Sequence, residues 1–189
     1  MVDLCAHRFL HDEKKRREWQ DPQAILVDLG VKKGFTFVDV GCGSGFFALA
    51  AARLVGQRGV VYGLDADSDV IDELKERAEV EGLNNLKLKV GVAEETVFCH
   101  SCADMVFFGI VLHDFVDPGR VLSNAKDMLK PSGRLIDLDW KKKPMRLGPP
   151  LQIRFDVEKA SNLIASAGFR IIETKKGSYH YTIVAMQQS

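Results

Sequence analysis

Val38-Asp39-Val40 runs straight into Gly41-Cys42-Gly43-Ser44-Gly45. An apolar β-branched run that ends in alternate glycines suits a strand that must turn sharply beneath a ligand. Glycine tolerates φ > 0 and, lacking a Cβ, lets a ligand reach the backbone. Phe46 to Val55 is apolar and alanine-rich and reads as a helix, whose first free N–H groups would face that ligand. Asp65 closes the next apolar run, Val60 to Leu64. A carboxylate at that place accepts hydrogen bonds from both hydroxyls of a ribose. Loop and acid together describe an adenosine ribose site. The plainer alternatives are a tight turn without a ligand and an aspartate at a solvated helix start.

The glycine spacing discriminates between ligands. A dinucleotide fingerprint reads G-x-G-x-x-G, its third glycine lying where helix and strand pack closely. Here the glycines fall at 41, 43 and 45, and Phe46 stands where that third glycine belongs. A bulky ring there argues against a pyrophosphate seated tightly on the helix.

Other reactive side chains are sparser. His113 and Asp114 follow the apolar run Met105 to Phe108 and are candidates for a general base or a substrate contact, against the plainer reading that His113 packs or caps a turn. Cys99-His100-Ser101-Cys102 invites a metal or redox reading. A structural zinc site wants four ligands in two paired motifs, and Cys5 and Cys42 supply no second pair, so no metal site is expected and the cysteines read as incidental. The alternative is a thiol site for a soft metalloid acceptor. Near the N-terminus, His7, His11, Arg16, Arg17 and Trp19 could close over a ligand as a lid or form a solvated amphipathic helix. Residues 141–155 form a proline-containing insertion with five basic residues, Lys141, Lys142, Lys143, Arg146 and Arg154. They suit an anionic acceptor or simply a solvated loop.

The elements that must position these residues alternate. The spacing predicts strands at 36–40, 60–64, 86–90, 105–108, 134–138, 169–175 and 179–186, with Lys176-Gly177-Ser178 as a hairpin that makes the last strand antiparallel. Helices fall between them. Pro22 opens one that Gly30 stops, Ser68 or Asp69 caps the one carrying Val70, Ile71, Leu74 and Ala78, Asp117-Pro118 starts another, and Asp156 caps the last. Lys130-Pro131-Ser132-Gly133 reads as a turn. This order implies an α/β fold with a doubly wound, mostly parallel seven-stranded sheet that binds ligands at the carboxyl ends of its strands.

Composition bounds the rest. The 189 residues are 46% hydrophobic, enough for a single domain with a real core but not for two. Residues 1–31 are taken as a lid-like extension of that domain. With 26 basic and 26 acidic side chains the formal net charge is zero, which does not favour nucleic acid as a partner. Met1 to Arg8 lacks a signal-peptide layout, and no apolar run approaches the ~20 residues of a membrane span. The expectation is a soluble, cytoplasmic chain whose cysteines form no disulfide framework.

The sequence resembles the class I S-adenosylmethionine-dependent methyltransferases. Val38 to Gly45 looks like that family's first motif, Asp104 through Val111-Leu112-His113-Asp114-Phe115-Val116-Asp117-Pro118 like its fourth-strand segment, Leu129-Lys130-Pro131-Ser132-Gly133 like its "L-K-P-G-G" turn, and Ala167-Gly168-Phe169 like its "A-G-F". The resemblance implies S-adenosylmethionine as the methyl donor and S-adenosylhomocysteine as its product. It implies that Gly41, Cys42 and Gly43 cradle the amino-acid part, that Asp39 orients the loop or reaches the ammonium, that Asp65 holds the ribose and that Ala66 packs on the adenine. Gly91-Val92-Ala93-Glu94-Glu95 looks like the family's "G-D-A-E-E", with Val92 in place of the adenine-accepting aspartate, the Ala93 backbone still a donor and Glu94 a substitute acceptor. Phe108 offers a packing surface. In methyl transfer the protein chiefly aligns donor and acceptor and needs a base only for a protonated acceptor, so no catalytic constellation is required. The acceptor is expected to be a small molecule held under residues 1–31 and 141–155. Phe107-Phe108-Gly109-Ile110 departs from the "N-P-P-Y" of the enzymes that methylate nucleic-acid amino groups.

Two other functions stay open on sequence. A nucleotide-dependent oxidoreductase would bind reduced nicotinamide. A non-catalytic S-adenosylmethionine-binding or partner module would bind the donor without turnover.

Overall fold

The computed structural model describes residues 13–145 and 147–188. Its elements are α1 (Glu13–Arg17), α2 (Pro22–Asp28), β1 (Thr36–Val40), α3 (Ala48–Val55), β2 (Val60–Asp65), α4 (Ser68–Val80), β3 (Leu86–Val90), β4 (Ala103–Gly109), α5 (Pro118–Met128), β5 (Leu129–Trp140), α6 (Val157–Ser166), β6 (Phe169–Lys176) and β7 (His180–Gln187). The strands form one seven-stranded sheet in the order β3-β2-β1-β4-β5-β7-β6. The pairs β1–β2, β1–β4, β2–β3 and β4–β5 are parallel, and β7 runs antiparallel to both β5 and β6.

Strand alternation divides the core in two. Phe37, Met105, Phe107, Ile136 and Leu138 turn to the face covered by α2, α3 and α4. Val38, Val40, Val106, Phe108 and Leu135 turn to the face covered by α5 and α6. The continuous apolar run Met105 to Phe108 is wholly buried, as a central strand covered on both faces requires.

The helix starts follow the predicted chemistry with one correction. Asp21, Asp117 and Asp156 accept backbone N–H groups in the first turns of α2, α5 and α6. The cap of α4 is Asp67, whose carboxylate accepts from the Asp69 N–H at 2.9 Å, and not Ser68 or Asp69. Of the expected stripe, Ile71, Leu74 and Ala78 are buried. The Lys130-Pro131-Ser132-Gly133 segment is an irregularity inside β5 rather than a turn before it. Ala103 of β4 pairs with Leu129, and Met105 with Arg134, so the intervening residues of β5 are displaced from the ladder.

Residues 141–155 carry no helix or strand among those described. Arg154, expected to offer charge to a ligand, is instead buried and donates to the carbonyl oxygens of Pro149, Lys141, Lys143 and Leu147. One guanidinium thereby holds four points of the loop. The sulfurs of Cys99 and Cys102 are joined as a disulfide, so this pair is not incidental and offers no free thiol site for a metalloid. Among the described residues no group of three His, Cys, Asp or Glu could hold a metal ion. His7 and His11 lie outside the described residues.

Gly45 shows how tightly the chain leading into α3 packs against α4. Its φ is +96°, and an added Cβ would collide with Leu74 of α4. Gly45→Ala is therefore expected to destabilise the fold by about 2–4 kcal/mol, combining left-handed strain with overpacking. Urea unfolding followed by circular dichroism measures this, and an unchanged midpoint would contradict it.

Candidate functional site

A cavity of about 220 Å³ lies at the carboxyl edge of the sheet between β1, β2 and β4. The glycine loop forms its floor. The Gly41 and Cys42 N–H groups both donate to the Leu64 carbonyl, at 2.7 and 2.9 Å, which fastens the loop to the end of β2. Gly41 lies at φ +74°, and a Cβ on it would meet Val111 Cγ2 at 2.5 Å, so the loop after β4 can close over it only because it is glycine. Gly43 differs. It lies at φ +51° with nothing within 4 Å of a built Cβ. A side chain there would project into open space beside the cavity, where a ligand could otherwise reach the backbone.

Asp39 and Arg16 face each other across this floor. Asp39 is 2% exposed, and its Oδ2 has no hydrogen-bond partner. Burial pushes its carboxyl up to about 7, with the Arg16 charge opposing and Asp65 adding to the rise. Arg16 is likewise buried. Its Nε donates to Gln20 Oε1 at 2.7 Å, and its guanidinium lies 3.8 Å from the centre of the Phe46 ring. Burial lowers Arg16 to about 9, against the charges of Asp39 and Glu13 that hold it up, so it remains a cation at neutral pH. Phe46, the residue that breaks the dinucleotide spacing, thus serves as a platform for this cation. A buried carboxylate and a buried guanidinium around one cavity form a receptor for a ligand that carries both an ammonium and a carboxylate.

Asp65 reaches into the same cavity from β2. Its Oδ2 accepts from the Gly43 N–H at 2.8 Å and its Oδ1 from the Asp67 N–H at 3.1 Å. A carboxylate has about four lone-pair sites, which leaves capacity for two hydroxyl donors. Cys42 is a buried free thiol pushed well up by burial and then by Asp39 and Asp65, an inert packing group rather than a nucleophile.

The structure brings Asp39, Gly41, Cys42, Gly43, Asp65 and Asp114 to this one cavity, together with Arg16. Ala66 and Val92 are exposed on the same edge outside it, and Ala93 is buried. Phe108, expected to offer a surface to a ligand, is wholly buried on the α5/α6 face against the Phe115 ring. One oxygen of Glu94, the possible substitute for the missing aspartate, is engaged by the neighbouring loop: its Oε1 accepts from the Val116 and Asp117 N–H groups at 3.1 and 3.2 Å.

His113 is 8% exposed, with Nδ1 2.8 Å from Asp139 Oδ2. The sequence reading missed Asp139. Its signal was present in Leu135-Ile136-Asp137-Leu138-Asp139, where two carboxylates alternate on one face of a central strand. Ile110 was also missed. This β-branched residue sits at φ +67°, strained backbone between β4 and the 3₁₀ turn at Leu112–Asp114, on the wall of the cavity.

Trp19 anchors the N-terminal segment on the far side of Arg16. Its ring stacks on His180 at 5.3 Å and packs against Trp140 at 5.5 Å and Tyr179 at 5.9 Å. Of the candidate lid residues, Arg16 therefore lines the cavity, Trp19 holds the segment to β5 and β7, and Arg17 lies exposed.

Known proteins resemble this chain. The family model described as "Methyltransferase domain" matches residues 31–177. The chain is 30% identical over 126 residues to the demethylmenaquinone methyltransferase of Geobacillus kaustophilus, covering 67% of this chain and 53% of that protein. Identity to the Staphylococcus aureus protein of the same name is also 30%, covering 51% of it. The chain spans about half the length of these curated relatives. The crystal structure of a SAM dependent methyltransferase from Aquifex aeolicus superposes with a TM-score of 0.91 at 27% identity, covering all of both chains. That of a putative type 11 methyltransferase from Sulfolobus solfataricus gives 0.76 at 25% identity, covering 90% of this chain and 94% of that one. With a family model matched from the first strand to the last hairpin, and the glycine loop and its carboxylates assembled at one sheet edge, the chain belongs to the methyltransferase-domain family.

Proposed function

We propose that this chain binds S-adenosylmethionine at the carboxyl edge of its sheet and transfers the methyl group to a small, hydroxyl-bearing ring acceptor of the quinol class. The observation that carries the donor assignment is the buried Asp39 carboxylate, unpartnered at Oδ2, facing Arg16 across a glycine cradle. Only a ligand with a zwitterionic head satisfies both. Asp39 holds the ammonium, Arg16 the carboxylate, Gly41 to Gly43 the methionine backbone and Asp65 the ribose, with Ala66, Val92 and Ala93 along the adenine edge. The sulfonium supplies an electrophilic methyl group. The chain supplies position and charge, and must exclude water from the reacting atoms.

The acceptor class rests on the curated relatives, whose name specifies a demethylated menaquinone. Among the described residues no helix is long and apolar enough to cross a membrane. In this reading the chain acts as one domain. Residues 1–31 cover the donor and residues 141–155 wall the acceptor side.

Calorimetric titration with S-adenosylhomocysteine and with 5′-methylthioadenosine, which lacks the amino-acid head, tests the donor assignment. Arg16→Met should weaken the first by about 10- to 100-fold and leave the second nearly unchanged, since charge-assisted hydrogen bonds contribute about 1.5–3 kcal/mol. Equal weakening of both would place Arg16 in the fold of the segment instead. Asp65→Ala should weaken both. Failure of the wild-type chain to bind either would end the donor assignment.

The pH dependence has a fixed sign. Asp39 is held near 7 without a ligand, and an ammonium binds only its ionised form. Affinity for S-adenosylhomocysteine should be level between about pH 7 and the loss of the Arg16 charge near 9, and fall about tenfold per pH unit below about 7, with proton release on binding at pH 6. Asp39→Asn should weaken binding and flatten the profile. A profile that stays level to pH 5 in the wild type would contradict the role.

A further inference from the structure

Three acidic and basic side chains run in a line from the core to the cavity wall. Asp139, at the end of β5, has a side chain 1% exposed. Its Oδ1 accepts the Trp140 N–H at 2.6 Å and its Oδ2 lies 2.8 Å from His113 Nδ1. The His113 side chain is 2% exposed, and its Nε2 lies 3.5 Å from Asp114 Oδ1. Asp114 is 33% exposed and lines the cavity with Asp39 and Gly43.

This order fixes the imidazole. A carboxylate at Nδ1 makes that nitrogen the donor, so the lone pair of the neutral ring sits on Nε2. There it meets a second carboxylate oxygen, and two lone pairs facing each other repel. At 3.5 Å the two are in near contact without a hydrogen bond, and a proton taken up at Nε2 would be held by that carboxylate.

We propose that Asp114, His113 and Asp139 form the proton relay for methyl transfer, with Asp114 touching the acceptor, His113 taking up the proton, and Asp139 positioning the ring. This rests on the reading of the cavity as the S-adenosylmethionine site. The acidic hydroxyl of the acceptor, held by Asp114, gives its proton to His113 Nε2. The electron pair so freed forms the new bond to the methyl group, at oxygen or at the ring carbon that shares the charge; in the second case the hydrogen on that carbon leaves as a proton and one proton returns to oxygen, so that a single net proton is released. The pair of the broken carbon–sulfur bond stays on sulfur, so no oxidant or reductant is needed. The proton then leaves through Asp114 to solvent.

The surroundings keep one negative charge at the foot of the relay. Asp137 lies two residues before Asp139 on the same face, wholly buried, with neither carboxylate oxygen partnered. Burial, and then the charge of Asp139, raise its carboxyl well above the ordinary value against the lowering contact of Tyr181, which favours its neutral form. Burial pulls His113 down, but the hydrogen bond and charge of Asp139, followed by the charge of Asp114, outweigh burial and the opposing Arg154, and the ring titrates above 6.5. A base held above its ordinary value in this way can take up a proton near neutral pH. Tyr181, which faces Asp137 from β7, is held protonated by burial and both carboxyls.

The relay can be tested with the donor pair alone. Wild-type protein is saturated with S-adenosylmethionine or with S-adenosylhomocysteine, saturation being verified by calorimetry. The five histidines are titrated by carbon-detected NMR of their Cε1 groups, with H113Q assigning the His113 signal. A ring poised at the reacting methyl group feels the sulfonium charge, and His113 should titrate lower in the S-adenosylmethionine complex by about half a pH unit or more. Asp139→Asn should lower its titration in both complexes. It should move the acid limb of kcat/KM for 1,4-naphthohydroquinone methylation by the same amount. If Asp139→Asn fails to fold, Asp114→Asn at the cavity wall makes the same test. Identical His113 titration in the two complexes overturns the relay while leaving the donor site intact. Binding of neither ligand removes the donor reading and the relay with it. A His113 response without turnover of the naphthohydroquinone upholds the relay and removes only the quinol acceptor.

Discussion

Burying a carboxylate away from water costs several kcal/mol unless it is paired or neutralised, and Asp39 is buried at the end of the central strand. Its own strand cannot satisfy it, because the backbone groups of β1 are engaged with β2 and β4. The surrounding structure answers this one group. Arg16 is brought in from α1 and held by Gln20 and the Phe46 ring, and Trp19 pins the same segment to the far strands. The N-terminal segment is thus part of the site through a single electrostatic demand. That demand is fully met only when a cationic group reaches the Asp39 oxygen that the protein leaves unpartnered.

The sheet supplies the geometry for this. β1 and β4 are adjacent and parallel, so their carboxyl ends deliver the glycine loop and the Ile110–Asp114 turn to the same edge. Gly41 and Val111 interlock there, and the left-handed Ile110 sets the direction in which the chain leaves β4. Strain at a β-branched residue is tolerated only where neighbours over-determine it. The Ile110 N–H bonded to the Leu138 carbonyl at 2.7 Å is one such constraint, and it ties the turn carrying His113 to the strand carrying Asp139.

Much of this was legible in the residues. Period-two and helical patterns located the strands and the helices, because nearly every element buries one face against the sheet. The glycine loop and Asp65 were legible because only a few residue types fit such a turn. Other features depended on partners distant in sequence. Arg16 sits in a charged run that has the composition of a solvated helix, and only the docked segment shows that it is buried. Glu94 had the chemistry to replace the absent adenine acceptor, and the loop at Val116 and Asp117 takes one of its two oxygens. Arg154 lay in a basic loop that suggested an anionic ligand, whereas four carbonyl oxygens of the loop itself take its donors. In each case the side chain's chemistry was read correctly, and its partner was set by tertiary contact.

The aromatic junction that pins the N-terminal segment has one further consequence. The chain contains two tryptophans, Trp19 and Trp140, and their rings lie 5.5 Å apart at that junction, beside His180 and Arg154. The tryptophan emission of the protein therefore originates at one seam, between the N-terminal segment and the sheet. Its colour and quenching report how Trp19 packs on Trp140 and His180, so the molecule carries a built-in optical gauge of whether the segment just beyond Arg16 is docked.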